Sequence, residues 1–133
     1  MLVALLCAVG LANIDQPYPE LAPLQHIPTV VLVFVAPLLI GRWRLSTASV
    51  ASILVFMLLH TLGGRYIYSN VPYDILTKKM AGFSFSESFG WTRNAYDRLV
   101  HLSFGLLWTM PVMEALQRRH DVNRPLAAFV AFA

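Results

Sequence analysis

Apolar residues run almost unbroken through four stretches of the chain, and the polar residues collect between them. Residues 1–13, MLVALLCAVGLAN, are apolar but short. Residues 24–41 (LQHIPTVVLVFVAPLLIG), 45–62 (LSTASVASILVFMLLHTL) and 97–116 (DRLVHLSFGLLWTMPVMEAL) approach the roughly 20 residues a helix needs to cross a bilayer. Pro28 and Pro37 lie near the ends of the second stretch, and Pro111 predicts a kink in the fourth. The sequence closes on RPLAAFVAFA, about nine apolar residues into what reads as a fifth span, too few for a hydrocarbon core of roughly 30 Å. The pattern predicts an all-α, polytopic transmembrane helix bundle of about four full spans plus a truncated fifth. Residues 1–133 form one transmembrane domain, expected to be a fragment of a longer protein, with a long outer loop over residues 63–96. The first stretch has the length of a signal-peptide core, but no positive residues precede it and no cleavage site stands before Asp15, so it reads as a span.

Composition strengthens this picture. The chain is 57% hydrophobic and 13% charged, against about 25% charged in an ordinary soluble domain. Its net charge of +3 could suit nucleic acid, yet the ten Lys and Arg residues are scattered between apolar segments and form no basic stripe, which excludes that partner. Cys7 is the single cysteine, so there is no intrachain disulfide and no thiolate metal site. Arg42 and Arg44 on one short connection, and Arg118, Arg119 and Arg124 on another, place both in the cytoplasm by the positive-inside rule. Residues 13–23, with Asp15 and Glu20 but no Lys or Arg, and the 63–96 loop then lie outside, in a multi-pass membrane protein. The loop carries Arg65, Lys78, Lys79 and Arg93, which count for less in a long connection. Within it Phe83, Phe85, Phe89 and Trp91 alternate with small polar residues, as in a short strand, an interfacial aromatic belt or a lid over a substrate.

Ionisable groups at membrane depth are costly and usually face a partner. His60 ends the third stretch, Asp97, Arg98 and His101 open the fourth, and Glu114 lies near its end. At 1.5 Å per residue His60 and His101 fall roughly 3 and 6 Å inside the same boundary, whereas Glu114 is roughly 20 Å deeper. Asp97 and His101 are four apart, so an aspartate on one ring nitrogen would raise the basicity of the other, as a general base or a metal ligand requires. Asp97 equally suits the first turn of a helix capped by Asn94. His60, Asp97 and His101 are thus candidate catalytic residues, and Arg65, Tyr66, Asn94 and Arg98 candidate substrate-binding ones. His60 could instead bond a neighbouring helix, with Gly63 or Gly64 as the left-handed cap or as room for a close approach. Arg65 could hold an anion. Tyr66 and Tyr68 would point to opposite sides of an extended segment. His26 and His120 read as solvated or anchoring residues at the interfaces. Two histidines and an aspartate could hold zinc, but no HExxH-like spacing supports a metal, and no cofactor is indicated.

HTLGGRYIYSNVPY, followed after a variable stretch by RNAYDRLVHLSFG, resembles the bacterial inner membrane protein YjdF family. The likeness runs through His60, Gly63, Gly64, Tyr66, Tyr68 and Pro72, then through Arg93, Asn94, Tyr96, Asp97, Arg98, His101 and Gly105, with Glu114 near a position such proteins keep acidic. It implies about six spans and a family of unassigned molecular function. A shorter likeness, Asp97, Arg98 and His101 with two residues between the last pair, is similar to VanZ-like membrane proteins and favours an envelope role. Three functions follow: an envelope- or lipid-active enzyme on a lipid-linked or anionic substrate, a transporter component with a polar relay, and a structural or regulatory protein whose polar cluster ties two spans together. The last needs only interhelical hydrogen bonds of roughly 0.6 to 2 kcal/mol each. Nothing in the sequence fixes the oligomeric state.

Overall fold

A computed structural model describes residues 1–132. The described chain folds into eight helices: α1 (Leu2–Ala12), α2 (Ala22–Gln25), α3 (Ile27–Trp43), α4 (Thr47–Arg65), α5 (Tyr73–Ala81), α6 (Phe85–Phe89), α7 (Tyr96–His120) and α8 (Arg124–Phe132). Three stretches, Pro23–Trp43, Thr47–Arg65 and Tyr96–His120, are long and apolar enough to cross a membrane by length and composition. Where a first full span is expected, α1 has 11 residues and a length of about 16 Å, short of a bilayer core. The start of the expected fifth span is the nine-residue α8.

The spans are apolar all round, as lipid requires. On α3, Thr29, Val33 and Ala36 turn inward while Val31, Phe34 and Leu38 face outward, the last two 76% and 69% exposed. The centre is α4, which packs antiparallel on α7 and also touches α1, α2 and α3. Its Ile53, Phe56 and Met57 join Leu5, Val33 and Val100 in the core, and Val71 and Tyr96 close the core at the loop end. Glu114 serves the opposite end: its Oε2 accepts from the Ser46 amide at 2.8 Å, at the N-terminus of α4, where a carboxylate is favoured by the helix dipole. The Ser46 hydroxyl caps the same turn by accepting from Ser49 N at 3.2 Å. Pro111 is accommodated within a continuous α7.

Within the loop, one of the three readings is overturned. The aromatic alternation over 83–91 forms no strand; α5 and α6 occupy the connection, ended by Gly82 and Gly90 at φ 76 and 63. Ser84 caps α6 through Glu87 N, in a Ser-x-x-Glu arrangement. Asp74 gathers both helices. Its carboxylate accepts from Ser84 Oγ (3.0 Å), Ser86 N (3.0 Å) and Ser86 Oγ (2.5 Å), while Lys78 pairs with Glu87 at 2.8 Å. Burial would raise the Asp74 carboxyl, but the Ser86 and Ser84 hydrogen bonds outweigh it and hold it below the usual carboxylate range. With a folded pKa below the unfolded one, this stabilisation is present above about pH 4 and is lost as pH falls through the lower folded value. In a Trp43→Phe, Trp108→Phe background, Trp91 fluorescence is therefore expected to report an acid loosening of the loop. Asp74→Asn should show the loosened signal already at neutral pH, and a wild-type signal in that variant would refute the hub.

Candidate functional site

The antiparallel pairing of α4 and α7 brings the two predicted histidines to one level. His60 and His101 line a cleft of about 450 Å³ with Phe56, Tyr68, Val100 and Phe104. His60 is held from both sides. Its Nε2 lies 3.2 Å from the Gln25 carbonyl, which can only accept, so Nε2 carries the hydrogen. Nδ1 of the neutral ring is then an acceptor, and the Tyr68 hydroxyl donates to it at 2.6 Å. The result is a carbonyl, imidazole and hydroxyl in series, a base oriented by a third group.

The backbone that delivers Tyr68 is unusual. Tyr66 and Tyr68 do not alternate along an extended segment: Ile67 and Tyr68 both take left-handed conformations, at φ 48 and 60. For β-branched Ile67 this is a strained state, of order 1–3 kcal/mol. It turns the Tyr68 ring back over α4, with the Tyr68 amide donating to the Gly63 carbonyl at 2.7 Å. Gly63 and Gly64 accordingly lie inside α4, not at a left-handed cap, and what they supply is room. A Cβ on Gly63 would sit 2.6 Å from Tyr68 Cδ1 and Cε1, and one on Gly64 3.0 Å from His26 Cε1. Burial pushes the Tyr68 phenol up to about 12, so it keeps its proton through neutral pH.

His101 is oriented differently from expectation. Its Nδ1 donates to the Asp97 backbone carbonyl at 2.7 Å, and not to the carboxylate, which instead accepts from Arg93 at 3.2 Å. The carbonyl still fixes the tautomer and leaves the Nε2 lone pair available. Arg65, expected to hold an anion, donates to the carbonyls of Leu11, Ala12, Ile14 and Asp15 at 2.7 to 3.3 Å, and its guanidinium lies 5.5 Å from the Tyr66 ring centre. Asn94 braces the loop, donating to the Val71 carbonyl at 2.7 Å and accepting from Tyr96 N at 3.0 Å. Tyr66 packs against the core and Arg98 is exposed. Neither lines the histidine cleft. Among the described residues no three of His, Cys, Asp and Glu gather as a metal-ion ligand set.

Other polar groups join from α2 and α3. His26 is not solvated: it is 2% exposed, packed beside Gly64, and neither ring nitrogen has a protein partner. Thr61 donates to the Met57 carbonyl at 2.7 Å, so the 3.4 Å contact with Thr29 has Thr29 as donor. The Tyr96 hydroxyl donates to the Leu59 carbonyl at 2.9 Å, tying the start of α7 to α4.

Comparison with known proteins agrees with a membrane protein. The chain is 29% identical over 108 residues to inner membrane protein YjdF of Escherichia coli (strain K12), an alignment covering 80% of this chain and 48% of that protein. The chain thus spans about half the length of the curated relative it matches. No solved structure matches it significantly. The family described as "Predicted membrane protein (DUF2238)" matches residues 1–133, and the chain belongs to that family.

Proposed function

We propose that this bacterial inner-membrane protein is an envelope- or lipid-active enzyme that works on the polar part of a lipid-linked or anionic substrate in the α4–α7 cleft. The observation that carries this reading is the pairing of His60, already oriented by Gln25 and Tyr68, with a second histidine whose Nε2 is free, in one cleft between α4 and α7. His101 Nε2 supplies a general base for a substrate hydroxyl or water. The protonated Tyr68 hydroxyl, anchored on His60, offers its oxygen lone pairs to a substrate donor. Arg98, exposed beside this end of α7, is the cation available to a substrate anion.

Charge distribution supports an outward-facing cleft. At the loop end five basic residues (Arg65, Lys78, Lys79, Arg93, Arg98) meet five acidic ones (Asp15, Glu20, Asp74, Glu87, Asp97). Three of those cations are spent on Glu87, Asp97 and the α1 carbonyls. The excess of arginine lies at the opposite end, which the positive-inside rule assigns to the cytoplasm.

A structural or regulatory protein without chemistry is the second reading, favoured by how many candidates are satisfied within the fold: His60, Arg65, Asn94 and Asp97 all bond protein groups. Tyr68→Phe and His101→Ala separate the two. Tyr68→Phe keeps the ring and removes only the hydroxyl, at a cost of about 1 kcal/mol. Both variants are expected to give normal folded yield in detergent yet fail to restore growth under envelope stress to a strain lacking the protein. Full restoration by both would end the enzyme reading, and loss of yield alone would support the brace.

A further inference from the structure

At the end of the bundle away from the loop, α3, α7 and the first half of α4 line an apolar slot of about 220 Å³. Ala36 and Ile40 form one wall and Val112 and Leu116 the other, and Trp43 and His120 stand where the two helices end. We propose that this slot binds one acyl chain of an anionic phospholipid, whose phosphate rests on the arginines at its mouth.

Two observations select that occupant. The slot lining is almost wholly apolar and has room for part of one chain but not for the body of a folded segment. Arginines adjoin its end in sequence: Arg42 and Arg44 flank the lining residue Trp43, and Arg118 and Arg119 precede the lining residue His120. This end of the molecule holds five arginines (Arg42, Arg44, Arg118, Arg119, Arg124) against Glu114 and Asp121, which accounts for the whole net charge of +3. Glu114 is already engaged, by the Ser46 amide and by Arg118 at 3.6 Å. Arg118 also donates to the Arg44 carbonyl, drawing the ends of α3 and α7 together beside the slot. Arg42, Arg44 and Arg119 take part in no ion pair among the described residues. A basic rim at the end of an intramembrane groove selects an anionic headgroup over a zwitterionic one.

The test is native mass spectrometry of the whole chain released from micelles with equimolar phosphatidylglycerol and phosphatidylethanolamine. Phosphatidylglycerol adducts are expected to dominate by roughly thirtyfold, because two arginines act on a net negative charge that the ethanolamine ammonium cancels in the other lipid. Ala36→Trp, which fills the slot, should remove adducts of both lipids. The double variant Arg42→Gln, Arg119→Gln should bring phosphatidylglycerol down to the phosphatidylethanolamine level. Equal retention of the two lipids by the wild type overturns the proposal without any variant, as does full retention by a folded Ala36→Trp protein. A dimer of the chain in place of lipid adducts would assign the slot to a second copy and overturn it too.

Discussion

Gly63→Ala is expected to destabilise the folded bundle by about 2 kcal/mol, although alanine is the better helix former. Gly63 lies within α4 and is buried, so the usual gain for replacing a helical glycine, up to about 1 kcal/mol, applies. Against it stands the Tyr68 ring, two of whose carbons would be 2.6 Å from the new methyl group. The ring cannot swing aside freely, because its hydroxyl is bonded to His60 and its backbone amide to the Gly63 carbonyl. Overpacking of this kind costs about 1–3 kcal/mol and the lost hydrogen bond about 1 more. The clash wins.

The sign should reverse once the ring is gone. In a Tyr68→Ala background Gly63→Ala is expected to be neutral or stabilising by up to about 1 kcal/mol, whereas in Tyr68→Phe, which keeps the ring, most of the penalty should persist. Unfolding titrations in detergent across the six proteins of these two cycles measure the coupling. An equal loss in both the wild-type and Tyr68→Ala backgrounds would show that the Tyr68 ring does not rest on Gly63.

That coupling also marks where the sequence is informative and where it falls silent. The spans around α3, α4 and α7 are legible because lipid demands long apolar runs, and the shared level of His60 and His101 follows from antiparallel neighbours of known rise. The Gly63–Gly64 pair announces a close approach, but not that Tyr68 and His26 make it. The partners themselves are mostly backbone carbonyls: Gln25 for His60, Asp97 for His101, and Leu11 to Asp15 for Arg65. Every residue has a carbonyl, so no residue pattern distinguishes these. The loop helices were hidden for a different reason. Phe83, Phe85 and Trp91 imitate strand alternation, while the contrary signals, Ser84 with Glu87 as a capping pair and Gly82 and Gly90 as terminators, are short and easily outweighed. Asp74 could be found only by knowing that residues ten and twelve positions away fold back onto it.

Arg65→Met should release α1 from the bundle. A helix leaves its last carbonyls without intrahelical donors, and at the end of α1 the Arg65 guanidinium reaches four carbonyls between residues 11 and 15. A cation there also opposes the negative end of the helix dipole. Methionine keeps much of the apolar stem and removes all the donors, so the loss is that of charged hydrogen bonds, about 2 kcal/mol. It should be local. Hydrogen exchange is expected to accelerate through residues 2–12 while α4 and α7 keep their protection. Lysine, with a compact ammonium in place of the planar fork, should recover only part of the protection. The same measurement decides whether Arg65 serves a substrate anion: in that case Arg65→Met would weaken ligand binding and leave α1 exchange unchanged. The four carbonyl bonds argue for the first outcome, because a guanidinium already shared among them has little left to offer an incoming phosphate.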